Sequence, residues 1–347
     1  MKVIWFPIEN LEERYSGQWN RWFNSEFERL RIENLMLYGA TLSESIRQGS
    51  FLDVVGTNYF KADQLKQFCF LFDQNMIKEN DIILVQDGWF PGIEMLAYIR
   101  DALGFKFKIW SVFHAGTYDP YDFLTQRGMR KWGKSLEKSW FEIYDGIFVA
   151  TEFHKQLILQ QPKDFHEYQG LDEKLAEKIH VTGLPIYPEF VNPEAHKENI
   201  IVFPHRLDPE KQPEMFQELQ AKEQGWYFGW NMVRTKDLSK TKQEYYNLLN
   251  KSKISVSCAL QETWGIAMQE SVMCGCVPLV PNRLSYKEMY PDIYRYDSYE
   301  ELRDKIKYFT KYYGEFVEIL RMESLKQSFI QKGAEAIPNM VKIMMEN

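Results

Sequence analysis

Cysteine is scarce, with four residues in 347, and their placement excludes the roles that cysteine usually signals. Cys69, Cys258, Cys274 and Cys276 form no paired framework. Cys274 and Cys276 stand too close together to bridge easily, and they lack the Cys-x-x-Cys and histidine partners of a zinc site. They read as buried thiols of a reducing compartment. No apolar run is long enough to span a bilayer. The apolar stretch in MKVIWFPIEN is too short for a secretory signal and is interrupted by Pro7. Positive charge is also in deficit. A formal net charge of −7 argues against a protein that coats nucleic acid non-specifically, while leaving room for a local basic face. Solenoid-length repeats and low-complexity tracts are missing. A soluble, cytoplasmic protein is expected.

What the chain does have is apolar and aromatic residues, 45% and 16% of the total, enough for a full core and for two domains. KVIWFPI reads as a short buried strand, and DIILVQDGW, FKIWSVFHAG and DGIFVAT repeat its continuous apolar pattern. Helical patterns such as PGIEMLAYIRDALG, closing on Gly104, lie between them. Alternating buried strands and helices predict a parallel α/β sheet. The pattern starts again after the proline-bearing polar stretch VNPEAHKEN, with NIIVFPHRL, GWYFGW, KISVSCAL and CVPLVP as strands and PEMFQELQAKEQ as a helix. Two Rossmann-like domains facing each other across a cleft are expected, residues 1–190 and 191–327. A helical segment, residues 328–347, should break at Pro338 and pack back on the first domain. Ligands in such sheets bind beyond the carboxyl ends of the strands.

The most informative stretch is QETWGIAMQES, Gln261 to Ser271. KISVSCAL delivers Gln261, Glu262 and Thr263 to a strand end, and a helix begins near Trp264 or Gly265. Free amides at a helix start attract an anion, and glycine lets a phosphate approach the main chain. Glu262 precedes the helix, and Glu270 stands about 12 Å further on at helical rise. Hydroxyl-rich groups on both sides of a diphosphate would suit that interval, which is the shape of a nucleotide sugar. Two glutamates on a surface helix are also ordinary, so the neighbours decide. In FPHRLDPEKQP, Arg206 and Lys211 follow a buried strand, where two cations can neutralise a diphosphate as it leaves; the plainer alternative is a pair of solvated loop cations. His114, in VFHAGTYDP, closes a buried strand on the ligand side, where a structural histidine is the competing reading.

Together these stretches resemble a retaining GT-B glycosyltransferase of the glycosyltransferase family 4 type over nearly the whole chain. VFHAG is similar to that family's strand ending in a sugar-contacting histidine, IFVATEFHKQLI to its strand and Ser- or Thr-headed helix, and KIHVTGLPIYPEF to the turn entering the second domain. HRLDPEK keeps an arginine and a lysine five apart, and ETWGIAMQE keeps two glutamates. The resemblance implies that Arg206 and Lys211 hold the donor diphosphate. It places Glu262 and the backbone of Thr263, Trp264 and Gly265 at the donor sugar and phosphate, Glu270 on the ribose hydroxyls, and His114 on the sugar. It implies hexosyl or pentosyl transfer from a nucleoside diphosphate sugar, commonly a UDP-sugar, with retention and without a metal or other cofactor. The chain departs from the family in three places. The first loop has a single Gly17, Gly183-Leu184-Pro185 replaces an asparagine–glycine turn, and Phe203-Pro204-His205 precedes the arginine where a glycine is usual.

The acceptor has no motif. Tyr15, Gly17, Gln18 and Trp19 of the unusual first loop are the candidate acceptor-side residues. RGMRKWGKSLEKSW, residues 127–140, interleaves five cations with tryptophans and suits a phosphate backbone or an anionic membrane surface, or else is a solvated helix with its tryptophans turned inward. RTKDLSKTK, residues 234–242, reads as a plain polar loop. Compact size and aromatic, lysine-rich style resemble bacteriophage glycosyltransferases. A hydroxymethylated pyrimidine in DNA is therefore the expected acceptor, with a lipid, glycan or small molecule as alternatives. A sugar-nucleotide epimerase of the same architecture and a non-catalytic sugar-nucleotide-binding module are the rival functions.

Overall fold

The structure, a computed structural model, describes residues 1–10, 16–42, 53–160, 171–223 and 229–347. They form two compact units: Met1–Ala150 with Lys155–Thr182 and Ile337–Asn347, and Gly183–Ala336 with Thr151–His154.

The first unit holds a sheet of β1 (Val3–Phe6), β2 (Asn34–Met36), β3 (Ile82–Val85), β4 (Lys108–Val112), β5 (Gly146–Val149) and β6 (Ile179–Val181), in spatial order β2-β1-β3-β4-β5-β6. All its pairings are parallel. Every residue of β1 and β3 is buried, as strands covered on both faces must be, which is why their sequences run apolar without alternation. The helix Glu94–Leu103 ends where expected, at Gly104, whose φ of 64° closes it in the left-handed conformation.

The second unit repeats the scheme with β7 (Ile200–Phe203), β8 (Asn231–Arg234), β9 (Ile254–Val256), β10 (Val277–Pro281) and β11 (Arg295–Tyr296), in order β11-β10-β9-β7-β8, again all parallel. Of GWYFGW, the first four residues lie outside the described residues, and the strand comes just after it, at β8. RTKDLSKTK is more than a loop. It contains a helical turn, Thr235–Leu238, and Thr241 caps the helix Lys242–Lys251 in a reciprocal box with Glu244. Pro338 does not break its segment: the helix Phe316–Glu346 runs through it. A proline removes one backbone donor, and the turns on either side keep theirs.

Because β7 and β9 are neighbours in register, Ile201 beside Ile254, the loops leaving their carboxyl ends lie side by side. That adjacency brings residues 204–211 to residues 257–265.

Candidate functional site

In the second unit the Pro209–Lys211 turn carries Lys211 inward, where it is 6% exposed. Its Nζ donates to the Gln261 carbonyl at 2.5 Å and lies 3.2 Å from Glu262 Oε2. The other Glu262 oxygen accepts the Gly265 amide at 2.9 Å. Burial alone would raise the Glu262 carboxyl. Lys211 and the Gly265 amide outweigh it and hold the group below the ordinary carboxylate range. A backbone bond from Leu260 N to Glu210 O, at 2.8 Å, ties the two loops together. Arg283 fixes the β9 loop from beneath, donating to the carbonyls of Cys258 and Ala259 at 3.1 and 3.0 Å.

The helix Ile266–Met273 opens at Gly265, whose φ is 70°. A Cβ there would sit 3.1 Å from Tyr286, so both conformation and space favour glycine. Its first amides, on Ile266 and Ala267, have no carbonyl within their own helix to bond, and they open beside Glu262. Thr263 is anchored through its carbonyl, which accepts from Thr151 Oγ1 at 2.9 Å. Trp264 is buried, and its carbonyl takes Gln269 Nε2 at 2.7 Å. Its ring covers Gly183, which holds φ at 72°; the Gly183-Leu184-Pro185 departure thus still supplies a left-handed turn.

Arg206 is engaged by its own loop, with Nε 3.0 Å from Asp208 and the guanidinium also on Glu210. Glu270 is buried and accepts both Tyr246 OH at 2.6 Å and Tyr245 OH at 2.9 Å. Burial raises its carboxyl above the usual range, against the lowering effects of Lys242 and the two phenols. A carboxylate has about four lone-pair sites, so further hydroxyls can still be accepted there.

His205 is the group that sequence reasoning passed over, noting it only as a departure. Its ring packs against Phe203 at 5.2 Å between centroids, it is 3% exposed, and Nε2 has no hydrogen-bond partner among the described residues. Burial, with Lys211 and Arg206 nearby, pushes the imidazole down to about 3 despite Glu262, so it is neutral at ordinary pH. The available signal was a polar residue two positions after a fully buried strand. Tyr245 and Tyr246, adjacent in sequence, had no signal distinguishing them from core aromatics.

The first unit places His114 after β4 with Nε2 2.7 Å from the Gln86 carbonyl, to which it donates. Nearby, Lys61 binds Asp87 at 2.6 Å and the Trp89 carbonyl at 2.7 Å. Trp19, expected on the acceptor side, is instead a fully buried core residue, its ring 6.1 Å from Phe23 and 5.2 Å from His114. Its helix, Ser16–Arg29, turns the indole inward while Gln18 stays partly exposed. Gly17 lies in the same helix, packed so that a Cβ would collide with Asn10. Tyr15 lies outside the described residues. An open cavity of about 720 Å³ lies in the second unit between residues 288–294 and 320–332, and none of the residues singled out from the sequence lines it.

Two parallel α/β sheets with these strand orders give the chain the GT-B fold of glycosyltransferases. It is similar to the catalytic domain of starch synthase IV from Arabidopsis thaliana bound to ADP and acarbose, at 9% identity and a TM-score of 0.67, covering 100% of this chain and 99% of that one. It is also similar to sucrose-phosphate synthase from Thermosynechococcus elongatus, at 12% identity and a TM-score of 0.65, with the same coverage. In sequence, 99 residues, 28% of the chain, are 34% identical to tRNA-queuosine alpha-mannosyltransferase of Drosophila melanogaster. That match spans 24% of the fly protein's length. No family model matches the chain. Among the described residues no helix is long and apolar enough to cross a membrane.

Proposed function

We propose that the chain is a retaining glycosyltransferase that moves a sugar from a nucleoside diphosphate sugar to a hydroxyl carried by a modified base of a nucleic acid. The observation that carries this reading is the arrangement of Lys211, Glu262 and the opening amides of the helix Ile266–Met273 on two adjoining strand ends. Lys211 and the amides supply positive charge where a diphosphate would settle, and Glu262 offers an acceptor oxygen to sugar hydroxyls. In the reaction the bond from the sugar's anomeric carbon to the diphosphate breaks as the acceptor oxygen bonds to that carbon on the same face. The acceptor's proton passes to a phosphate oxygen. The protein positions the reactants and stabilises the departing charge, the kind of contribution that fixed donors in a dry site make best. Glu270, with two phenols already on it, is suited to ribose hydroxyls. Arg206 would have to exchange Asp208 and Glu210 for phosphate.

The acceptor rests on the sequence match to an enzyme whose name sets its acceptor on a tRNA base. A hydroxymethylated pyrimidine in DNA is the form expected from the sequence. Thermal-shift measurements with uridine, adenosine and guanosine diphosphates test the donor site, since a ligand at a hundred times its dissociation constant adds about 2.7 kcal/mol. Labelled sugar is then followed into hydroxymethylated duplex DNA and into tRNA. No shift with any nucleotide would remove the donor site. An isomerised sugar nucleotide in a donor-only incubation would make the protein an epimerase, and label in lipid alone would remove the nucleic-acid acceptor.

A further inference from the structure

The basic stretch noted in the sequence forms one continuous feature of the first unit. Gly128, with φ of 77°, ends the turn Phe123–Gln126, and the helix Arg130–Ile143 begins two residues later. The helix commits its inner face entirely to the core. Gly133, Glu137, Trp140 and Phe141 are buried. Glu137, the only acid between residues 127 and 141, accepts from Thr117 N and Oγ1 at 2.5 and 2.6 Å and from Trp89 Nε1 at 2.9 Å. Arg127, ahead of the helix, and Arg130 and Lys131, in its first turn, are exposed, and Lys134 and Lys138 follow at successive turns, partly exposed. Among the described residues Arg127, Arg130 and Lys131 enter no ion pair. Trp132 is 49% exposed, about 100° around the helix from Lys131, its ring edge-on against Trp89 at 6.2 Å.

Helix stability does not account for this arrangement. Arg130 and Lys131 occupy the first turn, where the helix dipole is already positive, and the last turn holds no cation. That is the reverse of the favourable order. A cluster of cations at a positive helix end is, however, a strong attractor for phosphate. The protein as a whole carries −7, so the face is a local exception to its charge. A membrane surface fits less well. Interfacial helices insert an apolar face, and here that face is already in the core, leaving one exposed aromatic ring. An exposed ring on a segment that also carries exposed cations supplies the two elements by which single-stranded nucleic acids are held, bases stacked on aromatics and phosphates on basic side chains.

We infer that the outer face of residues 127–138 is a docking surface for a nucleic-acid strand with unpaired bases, Arg127, Arg130 and Lys131 holding phosphates and Trp132 stacking on a base. This rests on the reading of the acceptor as a nucleic acid and names the surface that would hold it.

Fluorescence anisotropy of a labelled single-stranded 20-mer, across a salt series, tests it with the full chain. The variant Arg127→Ala/Arg130→Ala/Lys131→Ala should lose at least tenfold in affinity at low salt. Its log–log salt slope should become shallower by about two, because each phosphate contact on a single strand contributes about 0.7. Trp132→Ala should weaken binding roughly tenfold with the slope unchanged, as loss of a stacked base does. Neither set of changes should lower the melting temperature, which a merely structural role would. Undetectable binding, equal binding by wild type and triple variant, a preference for duplex over single strand, or loss in the triple variant of binding to phosphatidylglycerol vesicles in place of the 20-mer would each overturn the surface. The thermal shift with nucleoside diphosphate, read on the same proteins, separates the two ideas. A shift without 20-mer binding removes only the docking surface, and 20-mer binding without a shift removes only the glycosyl-transfer reading.

Discussion

Each unit gathers a lysine, a carboxylate and a histidine where parallel strands end, the first unit's Lys61 reaching in from the helix Val54–Asp73, yet the two trios are finished differently. In the first, Lys61 holds Asp87 and the Trp89 carbonyl, and His114 donates to the Gln86 carbonyl. Burial would raise Asp87, but Lys61 and His114 bring it below its ordinary value. In the second, Lys211 holds Glu262 and the Gln261 carbonyl, but His205 Nε2 has no partner among the described residues and the neighbouring helix start has no side-chain cap. The first trio is completed by protein, while the second leaves His205 Nε2 and an uncapped helix start, the groups that the proposed donor site would use. Similar side chains thus differ in consequence because of what surrounds them. Substituting each lysine in turn is the most direct way to break the comparison.

Lys211→Met should have the largest effect. It strips the cation from the proposed phosphate site and leaves Glu262 charged and largely buried. Nucleoside diphosphate affinity by calorimetry should fall roughly 100-fold, the scale on which single fixed donors act in such sites. Unfolding stability should fall by about 3–5 kcal/mol, the usual result of removing one partner of a buried pair. Wild-type nucleotide affinity in this variant would take Lys211 out of the site.

Lys61→Met should act on stability alone. Asp87 is 31% exposed, so water takes over part of what Lys61 supplied, and a loss of about 2 kcal/mol is expected. Nucleoside diphosphate affinity should stay within twofold of wild type. A tenfold loss of that affinity would show that the two trios act on the same ligand and would dissolve the contrast between them.

The asymmetry was partly legible beforehand. Strands buried on both faces are written as continuous apolar runs, and β1, β3, β4, β5, β7, β9 and β10 stand where those runs predicted them. HRLDPEK and ETWGIAMQE pointed to Lys211 and Glu262 because strand ends gather chemistry, and Gly265 sits where a helix had to begin. β2 and β11 escaped notice because edge strands of two or three residues carry little pattern. Trp19 reads as a loop residue in a polar context, and only the packing of its helix turns it inward. Tyr245 and Tyr246 meet Glu270 across a separation of about two dozen residues, which no local period records. What a sequence hides most completely is an unmet hydrogen bond. His205 is conspicuous only once every neighbour's partner is known.

His205 yields the finest test, because it separates neutrality from mere burial. Its folded value of about 3 lies below the ordinary 6.5, so below pH 6.5 the unfolded chain binds a proton that the folded chain refuses. The stability this contributes is fully present above pH 6.5 and is lost as the pH falls toward 3, at about 1.4 kcal/mol per pH unit. Glu262, held low, loses its contribution only below the ordinary carboxylate value, outside a window of pH 5 to 6.5. Glu270, held high, acts in the opposite sense. Its contribution is present at acid pH and fades as the pH rises through its folded value, and a comparison of two proteins cancels it. Denaturant unfolding of wild type and His205→Asn between pH 5 and 6.5 should therefore diverge, wild type losing about 1.7 kcal/mol more than the variant across the window. Parallel curves would mean that His205 already bears a proton in the folded protein. The second trio would then hold two buried cations against one carboxylate, and the openness that distinguishes it from the first would have to be sought in the helix amides alone.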